Sequence, residues 1–280
     1  MSGTELATVD KKEFLALSPS EEMQEIIAEN FGGDGFELSI GDLTRVKMPT
    51  GGLIKWIIPE LGGEEVADEI VGVLCAITKG GVIWSAHEPD GSGNAPLLRS
   101  TDLITARNTH GVDVPKALVK KLKACEIGKD PDGTVVYCWQ KLAVDKGSPF
   151  GWDTGKGGFG KWAKEQRNLF ILRKNEMMPL LITATPGSLR ALKKFLTDLS
   201  MQKQLIHYRA IVSLKLEKTM SGTGSEYARI VPELVGKLSA EDGLAVREQY
   251  TKPLKQIEIP FAGEVDEVEA SDEGDDEQTF

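Results

Sequence analysis

The stretch 147–167, GSPFGWDTGKGGFGKWAKEQR, contains glycines and a lysine at the spacing of two phosphate-binding motifs. Gly155, Gly157 and Gly160 match the pattern of a dinucleotide-binding turn. Gly155, Gly160 and Lys161 match most of a P-loop, in which backbone N–H groups and a lysine hold phosphates. The first question is therefore whether this loop binds a nucleotide for catalysis.

The residues around the loop do not fit either motif. A P-loop needs Ser or Thr after its lysine to ligate magnesium, but Trp162 occupies that position. Both motifs also follow a buried strand, whereas the upstream VDKGSPFGWD is polar and rich in turn residues. The dinucleotide motif also requires an acidic residue about 20 residues further on, at the end of the next strand. Glu176 is the candidate, but it lies in a predicted turn. We therefore infer that the loop is not the phosphate-binding loop of a nucleotide-dependent enzyme.

Cations and aromatic rings alternate in this stretch and just after it, which is typical of single-stranded nucleic-acid binding. Cations neutralise phosphates, exposed rings stack on bases, and glycines let the backbone approach. The residues predicted to contact phosphate are Lys156, Lys161, Lys164, Arg167, Arg173 and Lys174. The residues predicted to stack are Trp152, Phe159, Trp162 and Tyr208, with Arg209 and Lys215 joining if their strand face is open. The alternative is that the tryptophans are buried and the loop is merely solvated.

Charge is distributed unevenly along the chain. The formal net charge is −10, but residues 263–280 carry nine acidic residues and no basic one. Residues 141–218, in contrast, contain 15 Lys and Arg against 6 Asp and Glu. The pattern predicts a basic middle joined to a disordered acidic tail.

Hydrophobic periodicity predicts a mixed α+β fold. Helices are predicted at 18–33, from Pro115 onward, at 185–200 and at 239–250. Strands are predicted at 64–78 and 81–86 as a hairpin around Lys79-Gly80-Gly81, and at 134–144, 168–174, 177–185 and 206–220. Since strands and helices do not alternate regularly, a curved antiparallel sheet fits better than a doubly wound fold.

Several short motifs resemble those of known proteins. The terminal DDEQTF resembles the acidic, Phe-ended tails of single-stranded DNA-binding proteins of bacteria and phages. The region from Leu43 to Leu254 resembles phage and mobile-element proteins described as single-stranded DNA-binding. That resemblance is carried by LTRVKMPTGG, EIVGVL, GKGGFGKWAKEQRNLFIL, PLLITATPGSLRALKKFL and VSLKLEKTMSGTGSEYARIVPELVGKL.

The resemblance implies an OB-like barrel with inserted helices and a role in replication or recombination. Together with the helix pattern and the charge distribution, this predicts a helical extension at 1–35, one OB-like domain at 36–262 and a disordered acidic tail at 263–280. Partner proteins would bind the tail through Asp275, Asp276, Glu277 and Phe280. Many of the relatives carry a cysteine cluster near the glycine-rich loop, to which only Cys138 could belong here. We therefore predict no metal and no other cofactor.

Other sequence features limit the function classes. His87, His110 and His207 have no metal-ligand spacing, and no nucleophile–base arrangement is evident. We therefore predict a protein without enzymatic activity. No apolar run is long enough for a membrane span, and the N-terminus has no signal-peptide core. We expect the protein in the cytoplasm of a bacterial host.

The predicted function is binding of single-stranded DNA with little sequence preference, with the tail recruiting partners. One alternative is a protein-interaction or DNA-mimic protein that acts through its acidic tail. The other is an enzyme that acts on nucleotides or nucleic acid. It would require a cleft that gathers two carboxylates or a histidine and a carboxylate.

Overall fold

The computed structural model describes residues 43–49, 53–60, 62–85, 96–155, 160–220, 224 and 226–255. The predicted helix at 18–33 and the predicted tail at 263–280 lie outside these residues.

The described residues form a mixed α+β structure. The strands are β1 Arg45–Val46, β2 Trp56–Glu60, β3 Gly63–Ala67, β4 Glu69–Ile83, β5 Leu98–Ser100, β6 Thr105–Asn108, β7 Glu126–Lys129, β8 Val135–Cys138, β9 Lys164–Arg173, β10 Leu180–Ala184, β11 Ala210–Met220 and β12 Glu226–Lys237. The α-helices are α1 Lys116–Lys123, α2 Pro186–Met201, α3 Ala240–Val246 and the single turn α4 Lys252–Leu254.

The chain divides into two compact units. We call residues 43–78 and 166–255 the split unit, because it is made of two segments, and residues 79–165 the inserted unit. Strands β4 and β9 have residues in both units. This division is finer than the single domain predicted over 36–262.

The split unit is built on the strand order β1, β10, β9, β4, β11 and β12, with the hairpin β2–β3 separate. Strand β10 pairs with β9, and β11 pairs with β12 and β4, in antiparallel orientation. Strand β1 pairs with β10 in parallel orientation. The core includes Trp56, Ile171, Ile182 and Val212. The indole Nε1 of Trp56 donates to the carbonyl of Leu214 (2.8 Å), so this buried polar atom is satisfied.

Helix α2 confirms the helix predicted at 185–200. Pro186 stands in its first turn, where the missing N–H removes no helical hydrogen bond. Leu192 and Leu199 are buried, two turns apart on the same face, against the core of the split unit.

The inserted unit has the strand order β4, β5, β6, β8 and β7, all antiparallel. Helix α1 begins after Pro115 as predicted and buries Leu118 and Leu122. Trp139 and Phe150 complete a core that is distinct from that of the split unit.

The hairpin predicted around Lys79-Gly80-Gly81 is wrong, because β4 continues without a break from Glu69 to Ile83. A Cβ atom at Gly81 would lie 2.4 Å from the ring of Trp139. This glycine therefore makes room for a ring that packs on the strand, rather than turning the chain.

The strand predicted at 134–144 is confirmed only in its first half. Strand β8 ends at Cys138, and Gln140–Val144 form a π-helical turn that buries Leu142 and Ala143. Apolar residues in a short run do not distinguish a strand from a buried turn of helix, which explains the error.

The sheet is mostly antiparallel, as predicted. In the described part of the chain its strand order is open at both ends, and the sheet is not closed into a barrel. None of the helices among the described residues combines the length and apolar character needed to cross a bilayer.

Candidate nucleic-acid interface

Backbone hydrogen bonds hold the ends of the glycine-rich loop together in the inserted unit. The N–H of Ala163 donates to the carbonyl of Phe150 (2.9 Å), and the N–H of Gly155 donates to that of Gly160 (3.1 Å). Gly160 has a φ of 66°, in the left-handed region that favours glycine. The ends of the loop are therefore fixed, and the residues beside them have defined positions.

Trp152 is exposed on this loop and lies beside a lysine. Its relative exposure is 69 %, and the Nζ atom of Lys161 lies 5.5 Å from the centroid of its ring. The same Nζ atom is 3.2 Å from Oε1 of Glu165. A cation this close to an indole face is attracted to it. The structure thus places two of the predicted residues, an exposed ring and an ammonium group, next to each other.

Trp162 is buried, with an exposure of 9 %. Its Nε1 donates to the carbonyl of Trp84 (3.1 Å), and its ring packs edge to face on Phe150 with centroids 5.1 Å apart. A ring in this position has no open face for a base. The prediction that Trp162 stacks on nucleic acid is wrong, because burying its large apolar surface in the core is more favourable.

Helix α1 adds a lysine that was not among the predicted site residues. The Nζ atom of Lys121 lies 5.8 Å from the ring centroid of Trp162. The lysines of α1 are all exposed, whereas Leu118 and Leu122 are buried. The sequence shows that this helix has a basic face, but nothing in it indicates that the face adjoins the loop.

The remaining predicted residues of the loop differ in their surroundings. Lys164 is exposed, and its Nζ donates to the carbonyl of Lys161 (3.0 Å). Arg167 belongs to the split unit and is partly buried in β9. Lys156 and Phe159 lie outside the described residues.

Arg173, predicted to contact phosphate, is instead held by three glutamates of the split unit. Its Nε donates to Glu176 (2.6 Å), and its terminal nitrogens pair with Glu65, Glu60 and Glu176. Burial lowers the pKa of Arg173, but the hydrogen bonds to Glu176 and Glu65 outweigh burial and raise it overall. A hydrogen bond from Arg173 in turn lowers the pKa of Glu65. Carboxylates already occupy this guanidinium, so a phosphate would have to compete with three glutamates for the predicted contact.

Lys215 and Arg209 are also engaged within the split unit. The Nζ atom of Lys215 is 2.8 Å from Oε2 of Glu233, and a hydrogen bond to this glutamate raises the pKa of Lys215. Arg209 donates from Nε and Nη2 to the carbonyl of Leu238 at 3.3 and 3.2 Å. A Cβ atom at Gly243 would lie 2.2 Å from the stem of Arg209. Arg209 is therefore part of the packing of the split unit, whereas Lys215 forms a solvent-exposed ion pair, and the predicted binding role of both stays a prediction.

Tyr208 and Lys174 are two further predicted residues that belong to the split unit. Tyr208 is partly buried and packs edge to face on His207, with centroids 5.4 Å apart. Lys174 is exposed in the turn after β9. The predicted partner-binding residues Asp275, Asp276, Glu277 and Phe280 lie outside the described residues.

Among the described residues, no group of three or more His, Cys, Asp and Glu side chains is arranged to hold a metal ion. Cys138 lies opposite Cys125, and its N–H donates to the Cys125 carbonyl (2.9 Å). Burial raises the pKa of the Cys125 thiol.

The chain was compared with models of known protein families, with curated proteins and with solved structures, and no match was found in any of the three.

Proposed function

We propose that the protein binds single-stranded DNA with little sequence preference, through the inserted unit. The observation that carries this proposal is the exposed ring of Trp152 with the ammonium group of Lys161 beside it. A base stacked on an exposed aromatic ring contributes about 1–3 kcal/mol, and stacking does not depend on base identity. An adjacent cation neutralises the phosphate that accompanies the stacked base.

Two further lysines that contact residues of the same loop support the proposal. Lys164 follows on β9, and Lys121 on α1 lies against the ring of Trp162, which immediately follows Lys161. A single strand tracked by several lysines releases counterions on binding, so affinity falls as salt rises. The interface we propose therefore consists of Trp152, Lys161, Lys164 and Lys121.

The finer parts of the expected function are further proposals. A role in phage or mobile-element replication or recombination, and an OB-like arrangement of the sheet, rest on the resemblance of the sequence motifs. Recruitment of partner proteins rests on the acidic, Phe-ended sequence of 263–280. The proposed DNA binding does not depend on a closed barrel, because Trp152 and the three lysines of the proposed interface all lie in the inserted unit.

Titration of the full chain with a fluorescently labelled oligodeoxythymidylate at several salt concentrations tests the proposal. Log affinity should fall linearly with log salt, with a slope of about −0.7 per phosphate neutralised. Single strands should bind more tightly than duplex of the same length. Equal or tighter binding of duplex would contradict the proposal.

The variant Trp152→Ala tests the carrying observation directly. Loss of one stacked base should raise the Kd for the oligonucleotide about tenfold and leave the salt slope unchanged, since no charge is removed. Ile104→Ala is the matched control, because Ile104 is similarly exposed (68 %) in the same unit. If Trp152→Ala binds as tightly as Ile104→Ala, the ring is not part of the interface.

A protein that acts through its tail is the first alternative, motivated by the nine acidic residues of 263–280. Deleting this segment should then abolish function. Under our proposal the deletion strengthens DNA binding, because it removes a competitor for the basic surface.

An enzyme that acts on nucleotides is the second alternative, motivated by a cavity of the inserted unit lined by His110, Asp130 and Asp132. Incubating the protein with nucleoside triphosphates or oligonucleotides and magnesium, and analysing the products by chromatography, tests it. Product formation that His110→Ala abolishes would favour the enzyme.

A further inference from the structure

We propose that an apolar groove of the split unit binds a segment of this same chain, residues 257–261, which lie just beyond the last described residue. The groove runs along helix α2 and consists of two depressions with volumes of about 260 and 380 Å³. Both are lined by Ile77, Leu196 and Ser200, so they are continuous with each other. The groove shares no residue with the interface around Trp152, so binding there does not rest on the proposed function.

The lining of the groove is mainly apolar. Ile77 on β4 and Leu196 on α2 line both depressions, and Leu205 lines the larger one. Met201 and Ile206 belong to the same lining, although 77 % and 50 % of their surface is exposed. Exposed apolar side chains gathered at a concave surface are typical of a site that another segment covers.

The described chain ends beside this groove. Thr251 is held there, because its Oγ1 donates to the carbonyl of Cys75 (2.6 Å), on the strand that carries Ile77 two residues further on. Lys255, the last described residue, is close enough to His207 for its charge to lower the pKa of that histidine, which lines the groove. The residues that follow Lys255 therefore start within reach of the larger depression.

The segment has the sequence pattern of an extended apolar ligand. Residues 257–261 read IEIPF, so two isoleucines and Phe261 alternate with Glu258 and Pro260. Alternate side chains of an extended chain project to the same face. A proline favours the extended conformation in the residue before it. In that conformation the segment offers three apolar side chains to the groove and turns Glu258 away from it.

The length of the segment matches that of the groove. The residues of α2 that line it run from Leu189 to Met201. At 1.5 Å per residue this part of the helix is about 18 Å long. Five extended residues span about 16 Å at 3.3 Å per residue. One copy of the segment can therefore cover both depressions.

Charge also favours this occupant. Lys193 lines the groove, and Arg190 and Lys194 are exposed on the same helix, in which Asp198 is the one acidic residue. The segment is followed by the stretch 263–280, with nine acidic residues and no basic one. Binding of the segment brings these carboxylates toward the cations of α2, which attracts the chain to its own groove.

Cleavage of the full chain by chymotrypsin tests the binding, because the protease reaches the peptide bond after Phe261 only when the segment leaves the groove. The rate of this cleavage, followed by mass spectrometry, reports the fraction of molecules with the segment released. It should be at least tenfold lower than in a synthetic peptide of residues 254–264. Cleavage of the full chain as fast as that of the peptide would overturn the proposal.

Variants on both sides of the contact locate it. Ile206→Asp places a charge in the groove and Ile257→Asp places one on the segment, so each should raise the cleavage rate at least fivefold. Ile257→Asp leaves every described residue intact and therefore tests the contact even if Ile206→Asp disturbs the fold.

Val235→Asp is the matched control, because Val235 is similarly exposed (45 %) in the split unit but does not line the groove. It should leave the cleavage rate unchanged. If it raises the rate as much as Ile206→Asp does, or if neither Ile206→Asp nor Ile257→Asp raises it, the assignment of the segment to the groove is wrong.

A second copy of the chain is the alternative source of the segment. Binding within one chain makes the cleavage rate independent of protein concentration, whereas binding between copies slows cleavage as concentration rises. A rate that falls with concentration would overturn binding within the chain. Because Trp152→Ala should weaken DNA binding and leave the cleavage rate unchanged, failure of the interface and failure of the groove give different results.

Discussion

The two units of the molecule use their cations differently. In the split unit, Arg173, Lys215 and Arg229 each pair with glutamates of neighbouring strands or turns. In the inserted unit, Lys161 and Lys121 lie beside the rings of two tryptophans. Lysine and arginine side chains thus form ion pairs in the split unit, whereas two lysines of the inserted unit lie beside tryptophan rings.

This difference shows why a count of charges along the sequence does not locate a binding surface. The basic stretch 141–218 runs through both units, but several of its cations are balanced by glutamates that are distant in sequence. The division is not absolute, since Lys161 also contacts Glu165, and Arg107 contacts Asp130. What distinguishes the inserted unit is the cation beside an exposed ring, at Trp152.

The largest expected effect separates the two tryptophans of the loop. Trp162→Ala should lower the free energy of unfolding of the inserted unit by about 3–4 kcal/mol, because it empties a buried site and removes a hydrogen-bond donor. Trp152→Ala should change it by less than about 0.5 kcal/mol, because the ring is exposed. Urea denaturation measures both. Equal stability of the two variants would contradict the burial of Trp162.

The next effect tests the use of cations in the split unit. Arg173→Ala should lower the free energy of unfolding by about 2 kcal/mol, because three glutamates, of which Glu65 and Glu176 are partly buried, would lose their shared cation. Oligonucleotide affinity should not change. Arg229→Ala removes a single ion pair with the exposed Glu217 and should lower the free energy of unfolding by less than about 1 kcal/mol. A loss of DNA affinity in Arg173→Ala without a loss of stability would support the predicted phosphate contact.

A smaller effect concerns His207 in the split unit. Burial, together with the charge of Lys255, lowers the pKa of His207 to about 4. The folded protein therefore keeps this imidazole neutral at pH values at which the unfolded chain protonates it, and stability is lost as pH falls below about 6.5. Between pH 7 and pH 5 this residue should lower the free energy of unfolding by about 1–2 kcal/mol.

Replacing the histidine isolates its contribution. His207→Gln does not titrate, so its free energy of unfolding should change less than that of the original protein between pH 7 and pH 5. Urea denaturation at both pH values provides the comparison. The same pH dependence in both proteins would show that other groups are responsible.

The sequence predicts those parts of the fold in which local and long-range preferences agree. Helix α2 combines a proline in the first turn with leucines at helical spacing, and both signals point to the same element. In β11, buried Leu214 and Leu216 flank exposed Lys215, which gives the alternation of a strand. Such elements are recognisable because packing merely reinforces the local pattern.

Packing partners that are distant in sequence explain most of the errors. Gly81 suggests a turn until the ring of Trp139 is placed against it. Trp162 suggests an exposed ring until Phe150 and the carbonyl of Trp84 are placed beside it. The predicted phosphate contact of Arg173 competes with Glu60 and Glu65, which another hairpin brings to it. Composition indicates which groups are present, but only the fold determines what each one contacts.

The smallest expected effect compares one lysine from each unit. Lys164 is exposed and donates to a backbone carbonyl, whereas Lys215 is paired with Glu233. If Lys164 neutralises a phosphate, Lys164→Ala should make the log–log salt slope of oligonucleotide binding shallower by about 0.7. Lys215→Ala should leave the slope unchanged, because its charge is already balanced within the protein.

The pair is informative because both substitutions remove one positive charge, so a general electrostatic effect would alter both slopes alike. Titrations at four or more salt concentrations resolve a change of this size. Equal changes in the two variants would mean that DNA responds to total charge, and the contrast between the units would then have no bearing on binding. A change confined to Lys164→Ala places the phosphate path on the inserted unit, next to the ring of Trp152.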